Sequence, residues 1–171
     1  NRKPAHSSHR YVIGETSEPK QSLDGEWKVR IEQARNVDVE SAPFAAVDFE
    51  DGDFGAIEVP GHLQMAGYLK NKYVNIQYPW DGHEDPQAPN IPENNHVAIY
   101  RRRFALDAQL ARTLENDGTV SLTFHGAATA IYVWLDGTFV GYGEDGFTPS
   151  EFDVTEALRN GNGNAAASPE A

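Results

Sequence analysis

The chain has 171 residues, a length that fits one domain or one domain with extensions. Its 14 Lys and Arg against 26 Asp and Glu give a net charge of −12, which argues against a general nucleic-acid or anionic-membrane binder. It contains no cysteine, which excludes disulfides, thiol catalysis and zinc–thiolate sites, and no apolar run long enough to span a bilayer.

The first half of the chain combines a polar start, one clear strand and a long irregular stretch. Residues 1–20 show no apolar period and predict an extended arm. Residues 26–31 alternate apolar and charged side chains, which predicts a strand with one buried face. Residues 36–56 predict an irregular segment pinned to the core by its phenylalanines, and residues 57–61 predict a short strand that ends at a proline.

Residues 79–96 form a proline-rich stretch that also carries aromatic side chains nearby. Its four prolines remove backbone donors, so a helix or a central strand is excluded there. Long loops in compact domains are usually functional or disordered, and the aromatic residues argue against disorder. We therefore expect an ordered loop that is a candidate for a binding site.

The second half of the chain predicts mostly strands. Residues 97–106 predict a strand and residues 107–116 a short helix, and Thr155 is predicted to cap a last helical turn. Residues 160–171 are small and polar and predict a flexible tail. About seven short, turn-separated strands indicate that residues 21–159 form an all-β, antiparallel β-sandwich.

One predicted hairpin has an Asp-Gly turn between two apolar runs, which is the strongest short-range hairpin signal. Pairing across this turn predicts Trp134 opposite Phe139 on one face. It places Val133 opposite Val140 on the other face, together with Tyr142. Because both predicted faces are apolar, we expect the hairpin to be central and covered on both sides.

Paired carboxylates are the first candidates for catalysis. Glu144 with Asp145 and Glu151 with Asp153 are the tightest pairs, and a retaining glycosidase needs two carboxyl groups about 5 Å apart. In a chain this acidic we favour a solvated acidic edge for both pairs. The residues themselves therefore predict no catalytic group.

Three other motifs also favour structural interpretations. Residues 83–85 and His96 lack the helical spacing of a zinc site, so no metal ligand is assigned. Residues 101–103 are three arginines that could bind phosphate, but alternation turns Arg102 toward packed surface, where it would need a carboxylate partner. The glycine-rich residues 141–146 lack the context of a nucleotide loop and predict a turn with positive φ at its glycines.

Several runs together resemble the sugar-binding domains of glycoside hydrolase family 2, and specifically those of the large bacterial β-galactosidases. Residues 23–27 (LDGEW) resemble the L-N/D-G-x-W opening of these domains. The other similar runs follow in family order: residues 59–68 (VPGHLQMAGY), 73–79 (YVNIQYP), 124–142 (FHGAATAIYVWLDGTFVGY) and 150–155 (SEFDVT). The segments around Gln64 and Asn75 favour β-galactosidase over β-glucuronidase.

The resemblance implies an N-terminal jelly-roll β-sandwich, galactose-binding-domain-like, that is incomplete at its C-terminal end. It implies that Asn75 reaches the galactosyl pocket, where an amide suits sugar hydroxyls because it donates and accepts hydrogen bonds. Tyr73, Tyr78 and Trp80 could supply an apolar wall for a sugar face, or anchor the loop instead.

The resemblance also implies retaining hydrolysis of terminal β-galactosides by a full-length enzyme. Its two catalytic glutamates lie in a (β/α)8 barrel that this chain does not contain, so we expect the chain alone to be inactive. It would help to form the active-site rim and contacts with other domains or subunits. Full-length family members typically use magnesium and sodium, whereas we expect no cofactor in this chain.

The implied partners are a galactoside of the lactose class and the remaining domains of the same polypeptide. A homo-oligomer is compatible with this interpretation, whereas nucleic acid and membrane are not expected as partners. The absence of cysteine and of a signal pattern favours the bacterial cytoplasm. Two alternatives stay open: an autonomous carbohydrate-binding module, and a structural interaction domain that binds no sugar.

Overall fold

A computed structural model of the protein describes residues 18–70, 78, 80–81 and 84–161. Seven strands, two α-helices and two short 3-10 helices (Ala34–Asn36 and Pro43–Ala45) occur in this part of the chain, and every strand pair is antiparallel. The predicted all-β class is therefore confirmed, whereas the jelly-roll strand order stays a prediction. The predicted arm of residues 1–20 and tail of residues 160–171 lie almost wholly outside the described residues.

The chain divides into two compact units. Residues 23–44 and 48–103 form the first, with strands β1 (Gly25–Gln33), β2 (Gly55–Val59) and β3 (His96–Arg101). The described part of the second comprises residues 18–22, 45–47 and 104–161. Its elements are α1 (Ala108–Glu115), β4 (Ser121–Phe124), β5 (Ala130–Leu135), β6 (Thr138–Glu144), β7 (Ser150–Asp153) and α2 (Thr155–Asn160).

The first unit is built on a three-stranded sheet with the order β2-β1-β3. Val29, on the central strand, is buried, together with Ile57 of β2 and Ile99 of β3. The register places Val29 and Ile57 on one face of the sheet and Ile99, which lies opposite Arg30, on the other. The restricted rotamers of these β-branched residues suit a pleated surface. The predicted strand in residues 26–31 is thus confirmed, and the predicted short strand ends at Val59, directly before Pro60.

Two arginines hold the irregular segment between β1 and β2. The guanidinium of Arg30 lies 4.7 Å from the centre of the Phe54 ring and 5.6 Å from that of Phe49. Arg101 approaches the Phe49 ring at 5.5 Å. Such cation–π contacts fix aromatic side chains that lack regular secondary structure around them, so the predicted pinning by phenylalanines is confirmed.

A buried carboxylate completes this anchor. Asp51 accepts hydrogen bonds from Lys28 Nζ at 2.6 Å and from Arg101 Nε at 3.1 Å. The hydrogen bond from Lys28 is the main cause that lowers the pKa of Asp51 below its ordinary value, and Arg101 adds to it. The acidic segment is therefore tied to strands β1 and β3 by charge as well as by aromatic contact.

The arginine run behaves differently from its prediction. Among the described residues no carboxylate pairs with Arg102, which donates to the backbone carbonyls of Leu23 at 2.8 Å and Asp24 at 2.9 Å. The neighbouring Arg101 is the arginine that forms an ion pair with a carboxylate, that of Asp51. The predicted strand over residues 97–106 is correspondingly too long, because β3 stops pairing at Arg101.

In the second unit, β5 pairs with β6 and β4 pairs with β7. Its core consists of four buried residues from these strands and their flanks: Val120, Val133, Phe152 and Val154. Partly buried apolar side chains pack against them, including Leu114 of α1 and Leu158 of α2. The two short helices therefore cover the ends of this core.

The β5–β6 hairpin confirms one predicted pair and corrects the register beyond it. Trp134 lies opposite Phe139, with ring centres 5.4 Å apart. Val133, however, lies opposite Gly141, because an irregularity follows it in the ladder and leaves Val140 without a partner in the register. One extra residue reverses the alternation of side chains beyond it, so Tyr142 joins the aromatic face and not the face of Val133.

The predicted start of α1 is confirmed, whereas the predicted capping role of Thr155 at α2 is wrong. Asp107 caps α1 and accepts hydrogen bonds from two backbone amides of its first turn. Thr155 is the first residue of α2 and not its cap. Its hydroxyl instead accepts a hydrogen bond from the Val120 amide at 2.9 Å, and Asp153 accepts one from the Thr155 amide.

Candidate functional site

Four candidate substrate-binding residues lie at the start of the proline-rich stretch or just before it, and two of them, Tyr73 and Asn75, lie outside the described residues. Tyr78 and Trp80 are described, and their rings stack with centres 4.9 Å apart and planes 4° from parallel. The turn is closed by hydrogen bonds between Tyr78 and Asp81 in both directions. Tyr78 remains 66% exposed, so the stacked pair presents an aromatic surface to solvent.

A second candidate site lies in the other unit, at the end of the β5–β6 hairpin. It is a shallow, wide-open depression of about 470 Å³. Its lining combines aromatic, small and acidic side chains: Thr129, Ala130, Tyr142, Glu144, Asp145, Gly146 and Phe147. Hereafter these seven residues are called the hairpin pocket.

Two carboxylates of the hairpin pocket have defined partners. Glu144 accepts a short hydrogen bond from the Tyr142 hydroxyl, and this bond is the main cause that raises the pKa of Tyr142 to about 12. Asp145 accepts hydrogen bonds from the Phe147 amide at 3.0 Å and from Thr148 Oγ1 at 2.9 Å. The polar groups of the pocket are therefore held in place before any ligand binds.

The glycine-rich segment of the hairpin pocket forms the predicted turn, but not through positive φ at its glycines. The residue in the left-handed region is Asp145, with φ of 72°. Gly146 is needed for a different reason: a Cβ there would lie 2.7 Å from the Ala128 Cα. A close approach of two backbone segments, rather than an unusual dihedral angle, thus explains this glycine.

An aromatic face runs along the hairpin away from the core side. Tyr132 and Trp134 of β5 and Phe139 and Tyr142 of β6 lie on it, and the rings of Tyr132 and Tyr142 are 4.6 Å apart at their centres. Tyr132 and Phe139 are exposed, so the prediction that both faces are covered is wrong for this one. The aromatic face ends at Tyr142, where the hairpin pocket begins.

The Glu151 and Asp153 pair does not form a catalytic arrangement. Asp153 accepts hydrogen bonds at the start of α2, and the bond with the Thr155 side chain, followed by that with its amide, lowers the pKa of Asp153. A general acid needs a raised pKa to keep its proton at neutral pH. Asp153 therefore serves the backbone of the helix start, which agrees with the structural interpretation of this pair.

Metal ligands are likewise not grouped within the described ranges. In residues 18–70, 78, 80–81 and 84–161, no three His, Asp or Glu side chains come close enough to hold an ion. None of the described helices is long and apolar enough to cross a membrane.

The sequence predicts the acidic pair and the glycine-rich turn as separate features, but it does not predict that both line the hairpin pocket. Sequence reasoning singled out Glu144 and Asp145 as an acidic pair and residues 141–146 as a turn, but it left Phe147 without a role. The signal that could have joined them is the position of the acids directly after a predicted aromatic hairpin. A hairpin end brings its flanking loops together, so such acids lie next to exposed rings.

An antiparallel β domain with exposed aromatic rings and fixed carboxylates around an open pocket is typical of carbohydrate-binding domains. The chain matches the model of one such family, described as Glycosyl hydrolases family 2, sugar binding domain, over residues 20–167. Because this match spans most of the chain, the protein belongs to the glycosyl hydrolase family 2 sugar-binding domains.

The chain is also similar to several β-galactosidases. It is 99% identical to Beta-galactosidase BgaC of Bifidobacterium adolescentis over 171 residues, which is 100% of this chain and 16% of that protein. It is 47% identical to a Lactobacillus delbrueckii subsp. bulgaricus β-galactosidase and 42% identical to one from Streptococcus thermophilus, each over 95% of this chain and 16% of the relative. The chain thus spans about a sixth of the length of these curated relatives.

Proposed function

We propose that this chain is the sugar-binding domain of a β-galactosidase that hydrolyses terminal β-galactosides with retention. The observation that carries the proposal is the 99% identity to Beta-galactosidase BgaC over the whole chain. Three relatives of lower identity that are also β-galactosidases cover at least 91% of the chain, which supports the same substrate class.

Within that enzyme, the domain contributes to the active-site rim and to contacts with other domains. The hairpin pocket supports this role because its aromatic rings suit the apolar face of a sugar and its carboxylates can accept hydrogen bonds from hydroxyl groups. Asn75 is proposed to bond a galactose hydroxyl, with Tyr73, Tyr78 and Trp80 as further contacts. The exposed stack of Tyr78 and Trp80 is compatible with such an apolar wall.

Bond cleavage is assigned to another part of the full-length enzyme. The Asp153 carboxylate holds the start of α2 with a lowered pKa, which is the opposite of what a general acid needs. We expect the purified 171-residue chain to release no nitrophenol from a nitrophenyl β-galactoside. Turnover by rigorously purified chain would contradict this assignment.

The proposed role of Asn75 is tested in the full-length enzyme with Asn75→Ala. Loss of an amide that pairs with a buried sugar hydroxyl costs about 1–3 kcal/mol, so kcat/KM should fall roughly 5- to 150-fold. The thermal midpoint should stay unchanged, because a ligand-facing loop amide contributes little to the core. The opposite pattern, lower stability with nearly normal kinetics, would mean that Asn75 caps its own loop.

A second candidate function, an autonomous carbohydrate-binding module, is favoured by the aromatic face of the hairpin. Such modules bind sugars on exposed aromatic side chains, and Tyr132 and Phe139 are exposed here. Calorimetry of the 171-residue chain with galactose and lactose separates the two functions. Binding with saturable heat would support the module, whereas no heat from either sugar would leave the domain role or a purely structural role.

The remaining parts of the proposal concern partners and location. We propose the other domains of the same polypeptide as constant partners, a galactoside of the lactose class as the substrate, and a homo-oligomer as compatible with this domain. A bacterial cytoplasmic location is part of the same proposal. Cell fractionation of the source organism, with β-galactosidase activity as the readout, tests that location.

A further inference from the structure

The Glu84 side chain links two parts of the proline-rich stretch that are not neighbours in sequence. One oxygen of its carboxylate accepts a hydrogen bond from the backbone amide of Glu93 at 2.5 Å, and the other accepts one from the amide of Asn94 at 3.0 Å. Both oxygens therefore bind backbone donors nine and ten residues further along the chain. This side chain closes residues 84–94 into a loop, although they form neither helix nor strand.

The far end of this loop is fixed to the three-stranded sheet. With its side-chain amide oriented to satisfy both of its groups, Gln33 at the end of β1 donates to the carbonyls of Glu93 at 3.0 Å and Asn95 at 3.3 Å. The backbone amide of Ala34 also donates to the Asn95 carbonyl, at 2.9 Å. Glu93 is thus held on both sides, by Glu84 at its amide and by Gln33 at its carbonyl.

The near end of the loop is joined to the stacked aromatic pair. The backbone amide of Glu84 donates to the Trp80 carbonyl at 2.9 Å. The turn that carries the stack is closed by hydrogen bonds between Tyr78 and Asp81. A continuous series of contacts therefore runs from the end of β1 through Glu84 to this turn, and all of it lies within the first unit.

The stack depends on such support because burial does little to place it. Tyr78 is 66% exposed, so the position of its ring follows from the backbone that carries it. A loop that is already held in one conformation loses less freedom when a ligand packs on it. The Glu84 carboxylate supplies this order with two hydrogen bonds from a single side chain.

We propose that Glu84 is a positioning residue of the full-length enzyme: its carboxylate holds the loop of residues 84–94 closed against β1 and thereby holds the stack of Tyr78 and Trp80 where the substrate meets it. This inference rests on the proposed function, in which the stack is an apolar wall for the substrate. It adds a residue that acts through Trp80 and makes no substrate contact of its own.

The first test measures backbone hydrogen exchange of the full-length enzyme by mass spectrometry. In Glu84→Ala we expect the amides of Glu93 and Asn94 to exchange roughly 2- to 12-fold faster, the range for the loss of one hydrogen bond. The amide of Asp81 should also exchange faster, because the turn loses its link to the sheet. Asp85→Ala is the matched control, since it removes the neighbouring exposed carboxylate, and its exchange should match the wild type.

The second test is a double-variant cycle on lactose hydrolysis. Glu84→Ala and Trp80→Ala should each raise KM roughly 2- to 12-fold, the range of one aromatic contact, with little change in kcat. The combined variant should have the KM of Trp80→Ala alone, because no ring is left for Glu84 to position. Glu84→Gln, which keeps one acceptor oxygen, should lie between the wild type and Glu84→Ala, and Asp85→Ala should match the wild type.

The two tests separate this inference from the proposed function. If the wild type hydrolyses no β-galactoside, the proposed function fails, and hydrogen exchange still decides whether Glu84 holds the loop and the turn. Unchanged exchange of the Glu93 and Asn94 amides in Glu84→Ala overturns the inference. A wild-type KM in Glu84→Ala or in Trp80→Ala overturns it as well. An equal effect of Glu84→Ala with and without Trp80 would show a structural role alone and also overturns it.

Discussion

Two phenylalanines five residues apart offer a sharp test of the core of the second unit. Phe152 is 4% exposed and packs edge-to-face on Phe124, with ring centres 6.2 Å apart, whereas Phe147 is 99% exposed. Removing the buried ring loses about 1.5–3 kcal/mol of transfer free energy and about 0.5–1.5 kcal/mol of aromatic pairing. With the cavity that remains, the total for Phe152→Ala should reach about 3–5 kcal/mol.

Thermal unfolding of the 171-residue chain measures this difference. At roughly 2–4 °C per kcal/mol for a chain of this size, Phe152→Ala should lower the midpoint by about 6–20 °C. Fluorescence of Trp134, which lies in the same unit, should report the change together with circular dichroism. Phe147→Ala is the matched control and should leave the midpoint nearly unchanged. Equal midpoints for the two variants would refute the assignment of Phe152 to the core.

Two other predictions concern polar groups. Thr155→Val should lower the free energy of unfolding by about 1–3 kcal/mol, because the amide of Val120 loses its hydroxyl acceptor; Thr155→Ser, which keeps the hydroxyl, should stay close to the wild type in urea titrations. The folded-state pKa of Asp51 is lowered, above all by the hydrogen bond from Lys28, so its contribution to stability is present above its unfolded pKa and is lost as the pH falls through the lowered folded-state pKa. Asp51→Asn should therefore show a smaller fall in thermal midpoint between neutral and acidic pH than the wild type, and an identical fall would contradict this role.

The register of the β5–β6 hairpin shows where sequence reasoning succeeds and where it stops. The Asp-Gly turn is predictable because both of its residues adopt positive φ, 48° at Asp136 and 76° at Gly137, which this pair tolerates best. The extra residue at Val140 has no such local signature, since any apolar residue can occupy it. One unpaired position was enough to move Tyr142 onto the aromatic face.

The arginine run shows a second limit, which is long-range partner choice. Alternation along a strand predicted that Arg102 would need a carboxylate. In the structure it is the neighbouring Arg101 that pairs with a carboxylate. That carboxylate belongs to Asp51, 50 residues earlier in a segment without periodicity. Backbone carbonyls satisfied Arg102, and no pattern of side chains reveals where carbonyls converge. Family resemblance gave the fold class correctly because it rests on many positions at once, whereas one ion pair rests on a single contact.

Three aspartates of the second unit use their carboxylates to hold its backbone in place. Asp107 caps α1, Asp145 fixes the turn of the hairpin pocket, and Asp153 holds the start of α2. The hydrogen bonds from Thr155 lower the pKa of Asp153, whereas a general acid requires an environment that stabilises the protonated form. These three aspartates thus organise the backbone, and the turn at Asp145 gives Phe147 its position.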